Sequence, residues 1–144
     1  MRPFKYEINE VNFFRFDKDM VYYKQWAGLS YAAKAVFPVI AVHLNRAGEA
    51  FPGQERISAL TGLNVKTVRR AIKELMKKMA CFTVKPGGRI TARGRRSYLY
   101  HIHVPDGPDF PFFKSVVEGY NWAVCGSLGR ALYVTLRTFA HADA

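Results

Sequence analysis

Cysteine is scarce in this chain: Cys81 and Cys125 lie far apart and in no CxxC arrangement. A disulfide framework is therefore not expected, and a reducing, cytoplasmic setting is. Long apolar runs are missing as well. None approaches the roughly 20 residues needed to span a bilayer, and the opening MRPFKYEINE has no apolar stretch of the signal type. The expectation is a soluble, unsecreted protein with no membrane partner. Disorder is excluded from the other side, because 49% of the 144 residues are hydrophobic and 15% aromatic, enough for a real core.

Catalytic signatures are absent too. There is no P-loop, GxSxG, HExxH or dinucleotide fingerprint, and the carboxylates between residues 51 and 104 reduce to Glu55 and Glu74. His101 and His103 have a spacing that can bind a metal, but no clear third ligand accompanies them. Tyr98 and Tyr100 could serve as strand-nicking nucleophiles only beside an acidic metal cluster, which is missing, so cross-strand packing is the expected role. The reading is a non-enzyme with no cofactor and no metal.

Acidic residues are few where basic ones gather. Residues 1–50 hold 7 basic and 5 acidic side chains, residues 51–104 hold 12 and 2, and residues 105–144 hold 3 and 4. Positive charge confined to the middle of the chain is the footprint of a polyanionic partner. A membrane surface would attract it as well, but the basic stretch lacks the Trp, Phe and Leu face of an interfacial anchor.

That stretch is Gln54 to Met79, QERISALTGLNVKTVRRAIKELMKKM. Asn64 is placed to cap a helix in which no Gly or Pro follows until Pro86. At about 100° per residue, Val65, Val68, Ala71, Ile72, Leu75 and Met79 fall on one side. Lys66, Arg70, Lys73 and Lys77 fall on the other, with Arg69 at the border. A preceding helix turns Ile57 and Leu60 inward and keeps Ser58 and Ala59 small. Thr61-Gly62-Leu63 makes the turn, with Gly62 where a left-handed backbone is needed. A basic amphipathic helix alone is often only a solvated face. The small residues, turn glycine, Leu63 and Val68 at their spacing make this one a helix-turn-helix, whose second helix enters the DNA major groove.

Around it, Leu29 to Asn45 reads as a helix capped by Ser30 and kinked, not ended, at Pro38. Trp26 anchors its start. Phe51-Pro52 is a short extended lead into the motif. Ala80 to Lys85 and Ser97 to Val104 read as strands, the second with Tyr98, Tyr100, Ile102 and Val104 on one side. Between them, PGGRITARGRR forms a cationic hairpin tip, the wing of a winged helix. It would set Arg89, Arg93, Arg95 and Arg96 against phosphates or a minor groove, although a mobile solvated loop is the plainer alternative.

The chain therefore divides into an N-terminal arm at 1–19, a winged helix-turn-helix at 20–104, a linker at 105–109 and a partial second unit at 110–144. At an offset of 96, Phe14, Phe16 and Lys18 recur as Phe110, Phe112 and Lys114. Trp26-Ala27 recurs as Trp122-Ala123, and Lys34, Ala35, Val36, Phe37 and Ile40 as Arg130, Ala131, Leu132, Tyr133 and Leu136. The second unit is expected to hold the first helix only. Its apolar positions Leu128, Leu132, Leu136 and Phe139 must then pack on the first unit or on another chain, which makes a homodimer through this segment an expected partner arrangement. The fold class is α+β, mainly α: three helices and a β-hairpin wing, followed by the incomplete unit.

The words Phe51-Pro52, Ile57, Thr61-Gly62-Leu63, Thr67-Val68 and Ala71-Ile72-Lys73-Glu74-Leu75 resemble the winged helix-turn-helix domains of bacterial, plasmid and phage replication-initiation and regulatory proteins. The resemblance covers roughly residues 20–104, and 110–140 weakly. It implies double-stranded DNA binding and a tandem arrangement like that of plasmid initiators, in replication initiation or transcription regulation. Gly53 departs from it, standing where a Ser often caps the helix. The expected base-reading residues are Asn64, Lys66, Thr67, Arg69, Arg70 and Lys73, with Lys77 and the four wing arginines on phosphates. The alternative is a winged-helix assembly module that binds protein and has only nonspecific DNA affinity.

Overall fold

The computed structural model describes residues 12–88, 90, 94, 96–119 and 121–140. In chain order the elements are β1 (Phe13–Asp17), α1 (Asp19–Tyr22), α2 (Tyr31–Ala41), β2 (Glu49–Ala50), α3 (Gln54–Thr61) and α4 (Val65–Lys78). Then come β3 (Phe82–Lys85), β4 (Leu99–Ile102), β5 (Asp109–Phe113), α5 (Lys114–Glu118), α6 (Asn121–Val124) and α7 (Gly126–Phe139). Helix dominates and the sheets are small and antiparallel, the α+β, mainly α class expected.

Ser30 opens α2 by accepting a hydrogen bond from the Ala33 amide at 3.1 Å. The helix runs through Pro38 to Ala41. It stops short of the expected Asn45 because the chain tightens there. The His43 and Leu44 amides bond three residues back, to Ile40 and Ala41, and the Asn45 carboxamide oxygen accepts from the Ala47 and Glu49 amides. The apolar pattern ran on because Val42, in the turn, is also buried. This turn delivers the short β2, which pairs with β4. The three-stranded order is β2-β4-β3, with Glu49 opposite His101 and Phe82 opposite Ile102. Helix, strand, two helices and a hairpin follow one another in winged-helix order.

The second sheet joins the segment before α1 to the segment after the hairpin. β1 and β5 pair antiparallel, with Phe14 opposite Phe112, Arg15 opposite Pro111 and Phe16 opposite Phe110. The alternate aromatic residues of both strands face inward, with Phe16–Phe110 centroids 5.1 Å apart and Phe14–Phe112 centroids 5.2 Å apart. Trp26 Nε1 donates to the Ala131 carbonyl at 3.2 Å, and Trp122 Nε1 donates to the Ala35 carbonyl at 2.8 Å. One apolar cluster runs from Phe16 and Trp26 through Ile57, Val68 and Leu75 to Phe112, Trp122 and Val134. Residues 109–140 thus carry a strand and three helices, packed on the rest of the chain.

Candidate nucleic-acid interface

The interface begins with how α3 and α4 are fixed. Gly62 closes α3 at φ 77°, the left-handed region where a Cβ is penalised, and its amide returns to the Ser58 carbonyl at 2.9 Å. Thr61 Oγ1 donates to the Ile57 carbonyl at 2.8 Å and accepts from the Leu63 amide at 3.2 Å, while the Ser58 hydroxyl donates to the Leu63 carbonyl. Asn64 then caps α4, its Oδ1 accepting from the Thr67 amide at 2.8 Å. Val68, Ala71, Ile72 and Leu75 are buried, with Met79 buried just past the helix end. Ile57 and Leu60 of α3 lie in the same core.

The opposite face of α4 is free. Lys66, Arg70, Lys73 and Lys77 are exposed, and none has a hydrogen-bond or ion-pair partner among the described residues. At about 1.5 Å of rise per residue the four span roughly 16 Å along one face. Arg69, also exposed, is held sideways by its Nε donating to Gln54 Oε1 at 2.9 Å. Thr67 is half-buried. Asn64 is exposed, but the oxygen that a bidentate adenine contact would use already accepts the capping bond.

Lys78 differs from its neighbours. Its ammonium donates to the Gly28 carbonyl at 2.9 Å and to Glu74 at 3.2 Å. Glu74 also accepts from the Ser30 amide and hydroxyl, at 2.8 and 2.6 Å, so it ties α4 to the start of α2. Partial burial raises the pKa of Glu74, but the bonds from Ser30 and Lys78 outweigh it and hold the carboxyl below its usual value.

The hairpin lies beside α3. Arg96 is exposed, and its Nη1 donates to the Gly88 carbonyl at 2.9 Å. Gly88 packs so tightly against the returning strand that an added Cβ would stand 2.6 Å from the Tyr98 carbonyl oxygen. Arg89, Arg93 and Arg95, named above with Arg96, lie outside the described residues. A cleft of about 230 Å³ runs between the hairpin base and α3, lined by Gly53, Gln54, Glu55, Arg69, Arg96, Ser97 and Tyr98. Gly53 offers no side chain to cap α3, which leaves first-turn amides of that helix without a side-chain partner, and the Ser97 hydroxyl has no partner among the described residues. The sequence marked Gly53 as a weak cap. Its closeness to Arg69 and Arg96 depends on tertiary packing and had no signal in the chain.

His101 is half-buried opposite Glu49, and His103 is exposed. No group of three His, Cys, Asp or Glu side chains among the described residues is arranged to hold a metal ion. Tyr100 is fully buried against Phe82 and Tyr98, and burial pushes its phenol pKa upward, so it serves as core. No helix among the described residues is long and apolar enough to cross a membrane.

Residues 27–78 match the family model described as a helix-turn-helix domain. No curated protein and no solved structure matches the chain. A helix-turn-helix domain is present, running from the turn before α2 to the end of α4, and a domain of this kind implies DNA as its partner.

Proposed function

We propose that the chain is a sequence-selective binder of double-stranded DNA and not an enzyme. α4 lies in the major groove and the hairpin grips the backbone beside it. The observation that carries this reading is the row of unpartnered cations Lys66, Arg70, Lys73 and Lys77 on the helix whose other face is core. Lys78, by contrast, is held by Glu74 and Arg15 by Asp109, each at 3.2 Å.

Arg70 and Lys73, in the second turn and beyond, read guanine edges, with Lys66 and Thr67 at the helix start. Asn64 keeps its capping bond and offers only its amide hydrogens. Arg69, Arg96 and the amides of the first turn of α3 converge on one phosphate, and Lys77 meets another. Selective binding of this kind suits a replication origin or a regulatory site. The resemblance to initiators and regulators of plasmids and phages supports both.

A salt titration against a labelled duplex tests the electrostatics. If about six phosphates are engaged, the slope of log affinity against log salt is near −5. At the cognate site Arg70→Ala costs about 1–3 kcal/mol and relaxes base preference. Affinity that is flat in salt, or an Arg70→Ala loss equal on cognate and random DNA, would overturn the assignment of α4 as the reading helix.

A further inference from the structure

Two adjacent arginines on α4 are held differently. Arg70 is exposed and has no hydrogen-bond or ion-pair partner among the described residues. Arg69, also exposed, gives its Nε hydrogen to Gln54 Oε1 at 2.9 Å. At about 100° per residue, Arg69 stands roughly 70° from the middle of the row made by Lys66, Arg70, Lys73 and Lys77. The turn is toward α3, on whose first residue the bond is made.

The anchor of this bond is firm. Arginine only donates, so the Gln54 amide must present its oxygen to Arg69 and its hydrogens elsewhere. Gln54 is half-buried, and α3 is fixed to the start of α4 through Ser58, Thr61 and Leu63. With Nε engaged, the guanidinium of Arg69 keeps the four hydrogens of its two outer nitrogens, enough for a bidentate grip on a phosphate. Arg69 lines the cleft of about 230 Å³ together with Gly53, Gln54 and Arg96. The second arginine of that cleft is tethered as well, Arg96 Nη1 donating to the Gly88 carbonyl at 2.9 Å. Both arginines of the cleft are therefore held in place, whereas the row on the outward face of α4 is free to adapt to what it meets.

We propose that Gln54 is a specificity-determining residue that touches no base: by holding Arg69 it withholds one guanine contact from α4 and assigns that arginine to the DNA backbone. The inference rests on α4 being the reading helix. Released from Gln54, the Arg69 side chain swings into the groove beside Arg70, where an arginine pairs with the O6 and N7 of guanine. Gln54 thus sets how many base pairs the helix reads, and it acts through Arg69 as a positioning residue.

The test is selection against a random duplex library, followed by a salt titration on the selected site, for the full chain and for Gln54→Ala, Gln54→Glu, Arg69→Ala and the Gln54→Ala, Arg69→Ala double variant. Neither side chain belongs to the apolar core, so the fold survives each change. Gln54→Ala is expected to add a guanine preference at one base pair next to the parent motif. With one phosphate released, its slope of log affinity against log salt becomes shallower by about one. Gln54→Glu keeps an acceptor in the same place and is expected to retain the parent motif. Once Arg69→Ala is in place, adding Gln54→Ala is expected to leave the motif and the slope unchanged and to move affinity less than twofold.

A Gln54→Ala chain that selects the parent motif overturns the proposal and leaves the reading of α4 intact. So does a loss from Gln54→Ala that is the same with and without Arg69, since Gln54 would then grip the backbone itself. A shift of motif in Gln54→Glu equal to that in Gln54→Ala also overturns it, because the acceptor would then be irrelevant. A folded parent chain that selects no motif removes the reading of α4 and this inference with it.

Discussion

Glu74 ties the reading helix to the start of α2 through one carboxylate. Its carboxylate collects the Ser30 amide, the Ser30 hydroxyl and the Lys78 ammonium, so it pins the start of α2 to α4 beside their apolar packing. Because its pKa lies below the usual 4.5 in the fold, its contribution is fully present above that pH and is lost as pH falls through the lower folded value. Glu74→Gln should cost about 1–2 kcal/mol at neutral pH, with the deficit closing below pH 4.5. His43 acts in a higher window. Burial holds its pKa below 6.5 against the Val39 carbonyl, 2.6 Å from Nδ1, so acidification below 6.5 drains stability from the fold. Urea midpoints measured from pH 7 to 3 separate the two. A parent and a Glu74→Gln chain that run parallel over that range would remove Glu74 from the account. Asn64, Gly62 and Ser30 were legible at this scale because each local rule names its own residue and backbone conformation. Glu74 was not, since its partner Ser30 lies 44 positions away.

Among elements, α4 was the most readable, because its apolar and cationic faces alternate at a single period and its ends carry their own signals. The β1–β5 pair was the least. Both Phe-rich stretches read as extended or recurrent, but nothing local says that Phe14 pairs with Phe112. Arg130 was similarly opaque. It stands where α2 has Lys34, yet it is buried at 5% exposure with Nη1 donating to three carbonyls, those of Thr61, Trp122 and Ala123. The reciprocal tryptophan bonds give this seam a direct test. Trp122→Phe removes a buried 2.8 Å bond and Trp26→Phe a longer, partly exposed one at 3.2 Å. Each should cost about 1–3 kcal/mol, Trp122→Phe the more. Denaturation should stay a single transition, because both residues belong to one core. A separate early transition in either variant would show that residues 109–140 fold apart from the rest.

For the whole molecule, the distribution of charge and of packing agree. The core packs β1, the helix-turn-helix and the strand and helices after residue 108 into one body, and the row of unpartnered cations lies on the outward face of α4. The most direct measurement is selection of the purified chain against a random duplex library at physiological salt, alongside a variant with Lys66, Arg69, Arg70, Lys73 and Lys77 neutralised. The account predicts an enriched motif that disappears in the variant, while circular dichroism shows the variant still folded. Enrichment that survives neutralisation, or none from the folded parent chain, would contradict it.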